Sequence, residues 1–138
     1  MKIFISYKFR GTNKKDLKKK LERVISVLEK NNHQVFVYFR NKTNWKVKSC
    51  SPGRVIREAF KEIRNCDAVV GFIDEAELSE GMLLEIGFAK ALNKKTVLLI
   101  NKKYSRPTLQ AIFDKVIRFE RLQDIEKDIG KHFKKTYA

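Results

Sequence analysis

At 138 residues, 43% hydrophobic and 34% charged, the chain is long enough to bury one core, and none of its apolar runs approaches the roughly 20 residues of a membrane span. Two cysteines, Cys50 and Cys66, and two histidines, His33 and His132, have neither metal-site spacing nor the density of a disulfide scaffold, so no metal is expected. The net charge of +15, from 31 basic and 16 acidic residues, gathers in Lys14–Lys20, in Lys42–Lys48 and near the C-terminus, and it attracts phosphate on nucleotides, on nucleic acid or on a membrane surface.

Met1-Lys2-Ile3-Phe4-Ile5-Ser6 is too short in its apolar part for a signal peptide; it predicts a first strand over Lys2–Ser6 in a cytoplasmic protein. The loop Tyr7–Asn13, with a cation, a glycine and hydroxyl or amide groups, leads into a helix over Lys15–Lys30. There Leu17, Leu21, Val24, Ile25 and Leu28 recur at amphipathic spacing, with lysines opposite. Val35–Phe39 predicts a second strand. Arg40–Gly53, which holds Trp45 and several lysines, lacks periodicity and reads as a long loop of the kind that serves as a lid or binding loop. Arg54–Arg64 follows as a helix.

The central unit is a buried strand Ala68–Ile73, an acidic loop Asp74–Glu80, an apolar helix Gly81–Leu92 and a buried strand Thr96–Ile100. A polar loop Asn101–Pro107, a short helix Thr108–Phe113, a strand Val116–Phe119 and a helix Leu122–Lys135 complete the chain. Strands alternating with helices predict an α/β fold with helices on both faces of a parallel sheet. Five strands fit the flavodoxin-like (Rossmann-like) order 2-1-3-4-5, in one domain over residues 1–138.

One residue conflicts with its surroundings. Glu85 lies inside the apolar run Met82–Ala89, and an ionised carboxylate in an apolar setting is unfavourable by several kcal/mol unless it is paired. Pairing with a Lys or Arg, or a place on a solvated helix face, explains it without function. The other reading uses its position near the start of a helix after a strand, where backbone N–H groups favour an anion and open α/β sheets bind ligands; there it is a candidate nucleophile. In the 2-1-3-4-5 order, the Tyr7–Asn13 loop faces the Asp74–Gly81 loop and Glu85 across one crevice, an arrangement suited to a phosphorylated substrate.

Asp67-Ala68-Val69-Val70-Gly71, then Ser79–Ala89, then Lys95–Ile100 resemble the nucleoside 2-deoxyribosyltransferase superfamily, whose members carry G-x-x-x-E-[LI]-G-x-A between two strands. Phe9-Arg10-Gly11 looks most like the phosphate loop of its 2′-deoxynucleoside 5′-monophosphate N-hydrolases. The resemblance implies that Glu85 attacks C1′ of the sugar and expels the base, as in a retaining glycosidase. It also implies a phosphate site at Arg10 and Gly11, a contact from Ser79 near the sugar, and no cofactor. The substrate-binding set so implied is Ser6, Lys8, Phe9, Arg10, Gly11, Ser79, Gly81 and Gln110, with Glu85, Tyr7 and Glu58 as catalytic candidates. Relatives form dimers in which one subunit completes the other's pocket, so a homodimer is expected.

Three positions depart from the family pattern. Phe4 stands where a Tyr often steadies the glutamate, with Tyr7 close by; Ala59, flanked by Glu58 and Glu62, stands where an Asp assists base departure; and Gln110 takes the place of a Ser given by the partner subunit. Loss of a general acid lowers rates by about 10²–10⁴-fold, so Glu58 is the candidate substitute.

Other readings stay open. Deoxyribose transfer between bases uses the same glycosyl-enzyme. Phe4-Ile5-Ser6-Tyr7 also looks like the start of a Toll/interleukin-receptor-type domain, some of which cleave NAD with a glutamate. A nucleotide-binding module without catalysis is a third reading. Nucleic acid as partner is allowed by the charge but not favoured, since no zinc-finger spacing or RNA-recognition aromatic motif accompanies it. No membrane partner is expected.

Overall fold

The structure, a computed structural model, describes residues 1–133. Five strands, β1 (Lys2–Tyr7), β2 (Gln34–Phe36), β3 (Ala68–Ile73), β4 (Lys95–Asn101) and β5 (Lys115–Phe119), form one parallel sheet in the order β2-β1-β3-β4-β5. The flavodoxin-like order predicted from the alternation of strands and helices is the order observed. Helices α1 (Lys14–Lys30), α2 (Tyr38–Asn41), α3 (Pro52–Asn65), α4 (Glu80–Ala91), α5 (Pro107–Ile112) and α6 (Ile125–His132) connect and cover it. No helix among the described residues is long and apolar enough to cross a membrane.

Side chains alternate across the strands, and the two faces of the sheet build separate cores. Ile3, Ile5, Val70, Phe72, Val97 and Leu99 pack with Leu21, Val24 and Leu28 of α1 and Ile125 and Ile129 of α6. On the other face, Phe4 and Val69 meet Ala59 and Ile63 of α3 and Ala89 of α4, while Leu98 and Ile100 meet Ile86, Leu109 and Phe113. Each such Leu, Ile or Phe contributes about 1.5–3 kcal/mol when fully buried. At Gly71 of β3, an added Cβ would come within 3.0 Å of the Phe113 ring and 3.2 Å of Leu98, so the absent side chain lets the chain after α5 close onto the sheet.

Most element bounds differ by a residue from the sequence reading, and local chemistry explains the larger shifts. The second strand stops at Phe36 rather than Phe39, because the Asn41 side chain accepts from Val37 N–H at 2.9 Å and starts a one-turn helix. That turn ends at two consecutive left-handed residues, Asn44 (φ 51°) and Trp45 (φ 62°), held by Trp45 N–H donating to Phe39 C=O at 2.7 Å. Helix α3 begins at Pro52, two residues early, with Ser51 as its N-cap and proline at its first position. A single 3-10 turn (Leu122–Asp124) precedes α6; the predicted extension of this helix to Lys135 lies outside the described residues.

Candidate active site

The even-numbered side chains of β1 point toward α3 and α4. Phe4 enters the core there, 1% exposed and stacked on Phe36 at 5.6 Å, and Ser6, also 1% exposed, sits one step further toward the carboxyl end of the strand. Ser6 Oγ donates to Glu85 Oε1 at 2.6 Å. Glu85 occupies the second turn of α4, beyond the first-turn amides that an anion at a helix start uses. Among the described residues it forms no ion pair. Burial therefore pushes its pKa up to about 7, and the Ser6 hydrogen bond offsets only part of that rise.

Glu85 faces a cavity of about 700 Å³. Its floor is β1 and the start of α4, including Phe4, Tyr7, Ser79 and Gly81; its other walls are Phe9, Arg10, Tyr38 and Phe39, the segment Lys46–Cys50, and Val55 and Ile56 of α3. Apolar walls, a few polar groups and one raised carboxylate are the ordinary features of a small-molecule site. Arg10 is exposed and unpaired among the described residues, and Lys46 and Lys48 join it on the lining.

Tyr7 belongs to the opposite face of β1 from Ser6 and packs against the α1 core. Its hydroxyl accepts from Phe39 N–H at 2.9 Å, leaving its own proton for a second partner; burial, followed by the nearby Glu85 charge, raises its pKa, so it stays a neutral phenol. Ser79 caps α4, its hydroxyl accepting from Met82 N–H at 3.0 Å. It thereby fixes the start of the helix that carries Glu85.

The remaining sequence-predicted residues fall elsewhere. Glu58 does not line the cavity; its carboxylate accepts from Tyr38 Oη at 2.7 Å and Arg54 Nε at 3.0 Å, and these bonds hold its pKa below the usual range. Ala59 is buried behind Val55 and Ile56, among Phe4, Ile63 and Cys66. Gln110 caps the start of α5 through Arg106 N–H at 2.7 Å, away from the cavity of its own chain. Lys8 and Gly11 line a second, smaller cavity of about 230 Å³, where Lys8 pairs with Glu75 and Glu77, each at 3.3 Å, and Lys20 pairs with Asp74 at 2.8 Å. The single crevice expected between the two loops is thus two, with Tyr7 and Met82 on both linings.

Sequence reasoning passed over Tyr38, Lys46, Lys48 and Glu80 as individual lining residues. The loop reading of Arg40–Gly53 was the signal for Lys46 and Lys48, whereas Tyr38 was hidden in the predicted strand Val35–Phe39. For Glu80 the signal was its place in the first turn of α4.

Comparison with known proteins follows the fold. The CMP N-glycosidase of Clostridium botulinum superposes with a TM-score of 0.70 at 21% identity, covering 96% of this chain and 99% of its own. The 2-deoxyribosyltransferase of Bacillus psychrosaccharolyticus gives 0.70 at 22% identity, covering 91% and 90%, and a conserved protein of Enterococcus faecalis gives 0.71 at 13%, covering 96% and 98%. A search of curated proteins returns no significant match. The sequence model of nucleoside 2-deoxyribosyltransferases matches residues 7–123, a span that includes Tyr7, Arg10, Ser79 and Glu85, and the chain belongs to that family.

Proposed function

We propose that this protein cleaves the N-glycosidic bond of a 2′-deoxynucleoside 5′-monophosphate through a glycosyl-enzyme on Glu85. The observation that carries the reading is a carboxylate with no cation paired to it among the described residues, oriented by Ser6 and open to a cavity bordered by Arg10, Lys46 and Lys48. A half-buried carboxylate without counter-charge is available to a sugar that becomes cation-like as its base departs. Its oxygen bonds to C1′ while the C1′–N pair leaves with the base. Water then attacks C1′, releases the sugar 5-phosphate and returns the carboxylate. Family membership and the likeness to a CMP N-glycosidase support this chemistry.

Leaving-group protonation is the weak step. Val55 and Ile56 fill the α3 side of the cavity, and Glu58 is ionised and engaged with Tyr38 and Arg54. We read Glu58 as a positioning residue for Tyr38 rather than the acid. Turnover is then slower, by about 10²–10⁴-fold, than in a site with an acid in place. We also infer a homodimer: Leu83 and Leu84, 45% and 51% exposed, lie on the same helix as Phe88, which stacks on Phe60 of α3 at 4.1 Å, giving an apolar two-helix face beside the cavity. Light scattering of the purified chain checks it.

Incubation with the four deoxynucleoside monophosphates, the matching nucleosides and NAD, with chromatography of free base beside an E85Q control, tests the reading. Glu85-dependent release that needs the 5′-phosphate is expected; release only from NAD, or equal release by E85Q, overturns it. Adding a second free base separates hydrolysis from transfer.

A further inference from the structure

Charge is unevenly spread over this chain. Residues 10–50 hold twelve cations and three carboxylates, so this stretch carries most of the net charge. Elsewhere Lys2, Lys8, Arg54, Lys90 and Arg121 are each in an ion pair, and within the stretch Lys20, Lys30 and Arg40 are. Along this stretch Arg10, Lys15, Lys18, Lys19, Lys46 and Lys48 are in none among the described residues.

Three aromatic rings connect the cavity lining to the cations of α1 through Lys14 and Lys18. Phe9 meets Phe39 edge-on at 5.0 Å, and Phe39 meets Trp45 at 5.2 Å. Lys14 Nζ lies 4.2 Å from the Phe9 ring centre, and Lys18 Nζ, one turn along α1, lies 5.5 Å from that of Trp45. Phe9 and Phe39 line the Glu85 cavity, as do Lys46 and Lys48 just after Trp45. On α1 the carboxylate of Asp16 lies on the lining of the smaller cavity, while the exposed Glu22 shares the side of Lys18 and Lys19. The strip of rings and cations thus starts inside the mouth of the Glu85 cavity and continues outside it for more than a helical turn.

A nucleoside monophosphate has one phosphate and needs one or two cations. The row of unpaired cations beyond the mouth repels itself and has nothing to bind on such a ligand. We propose that the strip binds the backbone of a single-stranded nucleic acid, leading one unpaired nucleotide into the Glu85 cavity while Lys15, Lys18 and Lys19 hold phosphates of its neighbours. Cations interleaved with aromatic rings are the usual furniture of single-strand grooves, and an enzyme acting at C1′ needs its nucleotide out of a duplex. The proposal rests on the glycosidase reading for what happens at Glu85, but not for the binding itself.

The test is fluorescence anisotropy with a labelled oligothymidylate of about 12 nucleotides, its duplex with oligoadenylate, and deoxythymidine mono- and triphosphate as competitors. Expected is single-strand binding that is at least about tenfold tighter than that of the triphosphate, with log K falling against log salt at a slope near −3. The triple variant K15Q/K18Q/K19Q, checked for an unchanged melting curve, flattens that slope by about 2 and leaves base release from the monophosphate unchanged. Tighter binding of the duplex, saturation by the triphosphate alone, or a triple variant with the parental slope overturns the proposal. Binding by E85Q is expected to be retained, so an absence of base release from the parent protein, or equal release by E85Q, sinks the glycosidase reading without touching the strip.

Discussion

Two crevices open at the carboxyl ends of the strands, and they treat carboxylates in opposite ways. In the smaller one Asp74 is met by Lys20 and by Asn101, each at 2.8 Å, and Glu75 and Glu77 share Lys8. In the larger one Glu85 has a serine hydroxyl and, among the described residues, no cation. Cations are not scarce in a chain of net charge +15, so the lack of one at Glu85 is a matter of placement. The lesson is that a half-buried charge left uncompensated beside paired ones marks where the free energy of folding has been spent on something else.

The harshest way to break the contrast is to remove the uncompensated charge. E85Q should lower base release from deoxynucleoside monophosphates by at least about 10³-fold, measured by chromatography of free base. Removing the cation nearest in kind to a phosphate contact comes next: Arg10→Ala should raise KM for monophosphates by about 10–100-fold and leave that for nucleosides unchanged, and equal weakening of both would take Arg10 out of the phosphate site. Ser6→Ala leaves a buried acceptor without its donor and removes what holds the Glu85 pKa down. The acidic limb of kcat/KM, expected near pH 7 in the parent, should move to higher pH, with about a tenfold loss at neutral pH that recovers in alkali.

Stability sharpens the comparison without any substrate. Folding raises the Glu85 pKa from 4.5 to about 7, so the folded state holds the proton more tightly and stability falls as pH rises through that window. Glutamine mimics the protonated form. Thermal melts should therefore show E85Q gaining on the parent between about pH 5 and pH 8, by at most about 3 kcal/mol. A parallel pair of curves would mean that Glu85 has found a counter-charge in solution. The smallest effect belongs to Glu58, whose carboxylate is doubly donated and outside the cavity: E58Q should change kcat by less than about threefold, and a loss of 10² would make it the acid after all.

Much of the fold was legible because buried parallel strands announce themselves. Ala68–Ile73 and Val97–Ile100 are apolar throughout and buried throughout, and the five apolar positions read on the first helix are all in its core. The second strand was less legible, since Val35–Phe39 has the composition of a strand and only the Asn41 amide, reaching back to Val37, shows why it is not one. The start of α3 was available in Ser51-Pro52. The site divides the same way. Glu85 stood out in sequence as a charge in an apolar run, and the 3.6-residue pitch explains how Arg54 comes to hold Glu58 four residues on. What joins Ser6 to Glu85 spans 79 residues and exists only once β1 and α4 are packed together; no local pattern carries it.

That join has a consequence for how the site breathes. β1 pairs with β2 over Lys2–Phe4 and with β3 over Ile3–Tyr7, with Ser6 opposite Gly71. Backbone amides in such a strand exchange with solvent only when the whole fold opens. The catalytic carboxylate of our reading is therefore anchored to the slowest-exchanging part of the chain, whereas Lys46–Cys50, on the opposite wall, hangs on few hydrogen bonds. Amide exchange should find one wall of the cavity nearly silent and the other in constant traffic with water, so that ligands are admitted by the wall that does no chemistry.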